Sequence, residues 1–278
     1  MAALDGDWES ARSKISRSSF YLAMRLMPKD RREAMFSIYA FNRAVDDIAD
    51  EGDDSPAERL RRLDDWRIAI DGIYSGAPSP ASLARVVARY GLRREDFLSV
   101  IEGCAMDASG ASFAPDFATL DHYCDCVASA VGRLSIKIFG MDEEPGFRLA
   151  HHLGRALQFT NILRDLSEDA AMGRLYLPGE ILRDAGIHDR DPRRVLSHPM
   201  VDTACRNFAQ IAHRHYREAD LVLGSGTRGL LQPPRLMSAV YGRLLRKMER
   251  TGWHPPQRRV RVGRAPLLLI ALRYGLSR

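Results

Sequence analysis

The chain has 278 residues, a formal net charge of +5, 45% hydrophobic residues and 28% charged residues, the balance of an ordinary soluble globular protein of one large domain or two small ones. No run reaches the roughly 18 apolar residues that a spanning helix needs. Met1 to Lys14 is polar and acidic without a signal-peptide apolar core, so a cytoplasmic location is expected. Cys104, Cys124, Cys126 and Cys205 form no CxxC pair and are expected to be reduced, structural thiols rather than metal ligands.

Helical periodicity runs through the chain. Residues 20–27 read as a short helix ending before Pro28. Lys29 to Asp50 reads as a long one, with Ala34, Met35, Ile38, Tyr39, Phe41 and Val45 on its apolar positions. Ser55-Pro56-Ala57-Glu58 has the form of an N-cap with proline at N1 and an acid at N3, opening a helix to about Tyr74. Helices are expected over 82–90 and 94–106, parted at Gly91, then over Thr119–Ile138 and Glu144–Leu166. A loop over 173–178 leads to short helices starting near Pro178 and at Asp191-Pro192. Long helices follow over 199–223 and 233–251. No strand alternation, hairpin signal or repeat is evident. The expected architecture is a single all-α bundle over 1–278 with a cavity between helices, ending in a basic tail from about residue 252.

The charge is uneven. Between Arg243 and Arg278 stand ten Lys/Arg against Glu249 alone, so this segment is strongly basic and the rest of the chain slightly acidic. With the apolar run from Pro266 to Leu272, the segment fits either a peripheral contact with an anionic membrane or a solvated tail carrying a short packed helix. Nucleic acid is not expected, because no motif or aromatic interleaving supports it.

The most informative feature is a pair of DxxxD clusters, Asp46…Asp50 and Asp165…Asp169. A spacing of four stacks two side chains on one helix face. Like charges there repel, and acids at the C-terminal end of a helix oppose its dipole. Helix stability therefore does not select them. Carboxylates at this spacing suit Mg²⁺, which is held by one or two carboxylates plus substrate phosphates. Gln158, Asn161, Asp165 and Asp169 form one polar stripe, and Asn161 adds a neutral oxygen. Arg43, Arg164 and Arg174 lie close in sequence, and arginine forks suit phosphate oxygens. An ordinary solvated, salt-bridged surface is the alternative for each cluster taken alone.

Four stretches carry a resemblance: Ser18 to Tyr21 (SSFY), Tyr39 to Asp50 (YAFNRAVDDIAD), Tyr123 to Gly132 (YCDCVASAVG) and Gln158 to Pro178 (QFTNILRDLSEDAAMGRLYLP). In this order the chain resembles the squalene/phytoene synthase family, the head-to-head prenyl synthases. The resemblance implies an isoprenoid-synthase helical bundle with the acidic helices facing each other across a cavity. It implies Mg²⁺, with Mn²⁺ as a substitute, on Asp46, Asp50, Asn161, Asp165 and Asp169. It implies diphosphate and substrate contacts from Ser19, Arg43, Gln158, Arg164, Arg174 and Tyr176, a catalytic role for Tyr123 near the reacting carbons, and a cavity position for Tyr241, for which core packing is an equal reading. Arg17 stands where the family often has serine, and Asn42 where it often has cysteine.

The implied reaction joins two farnesyl diphosphates into presqualene diphosphate, releasing pyrophosphate, within squalene or hopanoid biosynthesis. NADPH is not expected, and downstream squalene-pathway enzymes are conceivable partners. Phytoene, dehydrosqualene and squalene synthases are the enzymatic alternatives. A non-catalytic assembly factor of the same fold is the alternative of another class, and the four intact aspartates argue against it.

Overall fold

Helix starts and stops follow local side-chain chemistry. In a computed structural model, residues 1–7, 9, 12, 14–18, 51–53, 78–79, 111–113, 255–258, 264–266, 268 and 271–278 lie outside the described set. The described residues form α1 (Ser19–Arg25), α2 (Lys29–Asp50), α3 (Pro56–Ser75), α4 (Ala81–Tyr90), α5 (Arg94–Ala108), α6 (Phe117–Cys124), α7 (Ala130–Phe139), α8 (Glu143–Ala171), α9 (Gly179–Asp184), α10 (Pro192–Ser197), α11 (Val201–Gly224) and α12 (Gln232–Thr251). Ser55 caps α3 as expected, with a reciprocal capping box to Glu58 and proline in the first turn. No sheet occurs among the described residues.

Two helices differ from the sequence reading. The stretch expected as one helix over Thr119–Ile138 is interrupted by a π-turn, Asp125–Ser129, between α6 and α7. Asp121 of α6 and two residues of the turn, Asp125 and Ser129, surround the guanidinium of Arg155 on α8. Arg155 donates to Asp121 Oδ1 (2.6 Å) and Oδ2 (2.9 Å), to Asp125 Oδ1 (3.1 Å) and to Ser129 Oγ (2.9 Å). Arg133 links Asp125 to Asp96 of α5. Hydrophobic period alone does not report such a turn, and the side chain bonded around it is distant in sequence. Second, α8 runs to Ala171 rather than Leu166, so both aspartates of the second cluster stand on one continuous helix.

Helix α8 is central. It packs against α6, the π-turn, α7, α10, α11 and α12. Small residues set how closely. A Cβ on Gly154 would lie 2.8 Å from the Ser129 backbone, and one on Gly132 would lie 2.9 Å from Ala150 Cβ. The backbones of α7 and α8 thus approach to a distance that admits no extra carbon. Around this seam Phe41 packs edge-on to Trp66 and Phe97, and Phe159 packs on Phe208. All four cysteines are buried and free, in line with structural thiols. No described helix is long and apolar enough to cross a membrane.

Candidate active site

The C-terminal halves of α2 and α8 bring the two acidic clusters to the same space. Asp46, Asp50, Asp165 and Asp169 all line one cavity of about 730 Å³, towards the upper part of the ~300–1,000 Å³ range of small-molecule sites. Its deeper wall is apolar, with Met24, Ile38, Val131, Ile136, Leu153 and Leu157 among the lining residues. One end is therefore charged and the other greasy.

Arginines partner the carboxylates. Arg43 pairs with Asp46 (2.8 Å) and Asp47 (2.5 Å). Arg164 grips both oxygens of Asp165, with Nε donating to Oδ1 at 2.8 Å. Gly173, with φ +76°, closes α8 in the left-handed region. The chain then turns so that Arg174 reaches back to α2. It donates to Asp50 Oδ1 (2.5 Å) and to the Ala49 carbonyl (3.2 Å). Arg59 adds a bond to the same carbonyl at 2.9 Å, which offsets part of the dipole problem at this acidic helix end. Burial weakens the charged form of Arg164 and Arg174, yet their carboxylate partners outweigh it and hold both guanidinium groups above the usual arginine range.

The carboxylates are crowded. Burial first, and then the charge of Asp50 one turn on along α2, push Asp46 up to about 7. Burial and Asp165 push Asp169 up to about 7 as well. Without a cation the cluster resists holding its full negative charge. The Oδ1 atom of Asn161 is buried with no hydrogen-bond partner, while its Nδ2 donates to Gln158 at 3.3 Å. Four carboxylates that strain against one another and an orphaned amide oxygen make an all-oxygen donor set that fits a hard divalent cation.

A second group borders the acids. Tyr123 Oη donates to Asp107 Oδ2 (2.8 Å) and Tyr176 Oη donates to Asp107 Oδ1 (2.6 Å). The two rings stack with centroids 5.2 Å apart. Burial and the Asp107 charge drive both phenols well above their ordinary range, so both stay protonated. Burial likewise raises Asp107, against the opposing pull of its two hydroxyl donors.

Each site residue singled out from the sequence lines this cavity, with one exception. The side chain of Ser19 lies outside the described residues, as do Arg17, Glu51 and Asp53. Tyr241 is buried at the cavity wall, with its ring 6.3 Å from Phe20. Asn42 also lines it, and its Oδ1 is buried without a partner. Sequence reasoning missed Asp107, a lone acid at the end of α5 with no neighbour to signal it. It also missed Arg259. Its place in a basic tail suits solvent or a membrane surface, yet Arg259 pairs with Asp165 (3.0 Å) and Glu168 (3.5 Å) at the cavity. The segment is steered there by Trp253, whose Nε1 donates to the Leu163 carbonyl of α8 at 2.9 Å.

Comparison with known proteins shows the family to which this fold belongs. The family model described as squalene/phytoene synthase matches residues 14–265. A presqualene diphosphate synthase of Zymomonas mobilis subsp. mobilis is 50% identical over 98% of this chain and 94% of its own length. One from Rhodopseudomonas palustris is 47% identical over 93% of each chain. The crystal structure of squalene synthase HpnC from Alicyclobacillus acidocaldarius superposes with a TM-score of 0.78 at 29% identity, covering 92% of this chain and 97% of that one. The chain belongs to the squalene/phytoene synthase family.

Proposed function

We propose that this chain is a presqualene diphosphate synthase, which condenses two farnesyl diphosphates head to head into presqualene diphosphate and pyrophosphate. The observation that carries the chemistry is that the DxxxD clusters of α2 and α8 line one cavity together with many apolar side chains. The product assignment is supported by near-full-length relatives of that name at 47–50% identity.

Asp46, Asp50, Asn161, Asp165 and Asp169 would hold Mg²⁺, with Mn²⁺ a chemical substitute. When bound, such a cation supplies positive charge that stabilises a departing diphosphate. Arg43, Arg164 and Arg174 bind the diphosphates, Gln158 at the cavity wall adds a polar contact, and Ser19 is assigned a diphosphate contact by the family pattern alone. Each arginine exchanges a carboxylate partner for a phosphate oxygen as substrate arrives. The C1–O bond of one farnesyl diphosphate breaks, leaving pyrophosphate and an allylic cation. The C2–C3 double bond of the second attacks C1 and leaves a tertiary cation at its own C3. Loss of a proton from the attacked C1 closes the cyclopropane. The electron count balances without reductant, so NADPH is not required.

The apolar wall keeps water from the cation. The stacked faces of Tyr123 and Tyr176 favour positive charge near them, and Tyr241 walls the same space. Tyr123 Oη takes the leaving proton in this reading while passing its own to Asp107 Oδ2, the acceptor it already bonds at 2.8 Å. Asp107, made more basic by burial, is suited to receive it. Pyrophosphate is the alternative final acceptor.

Incubation with farnesyl diphosphate and Mg²⁺, with and without NADPH, tests the reading. The expected result is the same cyclopropyl diphosphate in both. A forty-carbon product formed only from geranylgeranyl diphosphate would overturn it. Asp165→Asn separates an enzyme from a non-catalytic relative of the same fold: turnover should vanish while thermal unfolding stays cooperative. Peripheral membrane contact through the basic C-terminus is a separate proposal, and flotation on anionic vesicles at varied salt tests it.

A further inference from the structure

Three histidines gather outside the diphosphate site. His151 and His152 lie on α8 and His215 on α11. Each offers a ring nitrogen, and these three atoms all lie within 4.8 Å of one another. The Nδ1 atoms of His152 and His215 are 3.1 Å apart. Two Zn–N bonds of ~2.0–2.1 Å at a tetrahedral angle place their nitrogens about 3.3 Å apart. The pair is thus already near the separation a shared metal would impose. His151 stacks edge-on against His152, with ring centroids 4.7 Å apart.

The chemistry of the group differs from that of the aspartates. Imidazole nitrogens select Zn²⁺, Cu²⁺, Ni²⁺ or Co²⁺ and not Mg²⁺. The partly buried rings of His152 and His215 are held below the ordinary histidine range, chiefly by burial, His215 down to about 4. Near neutral pH they carry lone pairs rather than charge. The nearby Arg155 guanidinium opposes a cation, but its charge is matched by Asp121 and Asp125. In the metal-free chain one Nδ1 donates to the other. Binding through both would move that proton to Nε2, a tautomer change with no net proton release.

We infer that His151, His152 and His215 form a transition-metal site that clips α8 to α11, with a fourth position left for water. The site is independent of the cation held by the aspartates. It lies on the stretch of α8 that precedes Gln158 and Asn161, so occupancy braces the helix that carries the second acidic cluster.

The test uses the full chain, untagged, stripped with chelator and then saturated with Mg²⁺ so that hard-cation sites are filled. Zn²⁺ is added by calorimetric titration, and Co²⁺ is used in parallel for its tetrahedral absorption bands. The expected result is one Zn²⁺ per chain, with affinity at least ~10-fold weaker in His152→Asn and His215→Asn. His151 is exposed, so His151→Asn keeps the fold and must also weaken binding if the variants at the two partly buried positions misfold. His122→Ala removes the other His-containing group, Glu102, His122 and Cys126, and should change nothing. Absence of Zn²⁺ binding above the Mg²⁺-saturated background overturns the inference. So does binding that survives His151→Asn, or that is lost in Asp165→Asn or His122→Ala instead.

Discussion

Asp107→Asn is the most informative single perturbation, because Asp107 accepts from both active-site phenols at once. The amide keeps the shape of the carboxylate but replaces one acceptor oxygen with a donor. One tyrosine hydroxyl then meets an N–H instead of an oxygen. A hydrogen bond to a charged group contributes ~1.5–3 kcal/mol, and leaving a buried hydroxyl unsatisfied costs a similar amount. If Tyr123 moves the proton through Asp107, that loss appears in the transition state. At 1.36 kcal/mol per tenfold, kcat falls ~10- to 100-fold. The fold should tolerate the change, since neutralising Asp107 also relieves repulsion on Asp46 and Asp169. The unfolding midpoint should stay within ~3 °C of the parent. The assay is steady-state pyrophosphate release from farnesyl diphosphate, with kcat and KM separated, combined with Tyr123→Phe in a double-mutant cycle. The two losses should be strongly non-additive. Additive losses, an unchanged kcat, or a loss that only tracks unfolding would refute the relay.

Other expectations follow from the same geometry. Gly154→Ala pushes a methyl into the Ser129 backbone at 2.8 Å and should lower stability by ~1–3 kcal/mol, read by denaturant titration; no change would mean that α8 and the π-turn can part freely. Asp46 and Asp169 are raised to about 7 in the folded chain against 3.8 ordinarily. The native state therefore binds more protons between pH about 4 and 7, and metal-free stability falls as pH rises through that window. Mg²⁺ relieves this repulsion, so its effect on the melting temperature should be larger at pH 8 than at pH 5, and equal shifts would contradict the assigned crowding. Arg259→Ala frees Asp165 and Glu168 from a cation at the cavity; the KM for farnesyl diphosphate and the Mg²⁺ requirement should both shift, and unaltered kinetics would leave Arg259 a bystander.

The parts legible in the sequence were those with a local signature. Ser55 and Glu58 announce a capping box four residues wide. Asp46 and Asp50, or Asp165 and Asp169, announce a ligand pair one helical turn apart. The all-α fold follows from sustained helical period and the absence of strand alternation. What escaped was non-local. The π-turn at Asp125–Ser129 is bonded by Arg155, thirty residues on from Asp125. Asp107 is an unremarkable acid until α5 packs beside Tyr123 and Tyr176. Arg259 looked like one charge of a basic tail, because nothing near it in sequence says that Trp253 docks on α8. The longer reach of α8 was missed for a related reason: the acids at 165–169 discourage helix on their own, and their arginine partners restore it.

The central claim is that the two acidic clusters start a head-to-head coupling whose end point is a cyclopropyl diphosphate. Mass-spectrometric product analysis with farnesyl diphosphate, Mg²⁺ and no reductant tests it most directly, with pyrophosphate counted alongside. The account predicts one presqualene diphosphate and one pyrophosphate for every two farnesyl diphosphates consumed. Farnesol with no coupled product, or a coupled product that has lost both diphosphates, would contradict it.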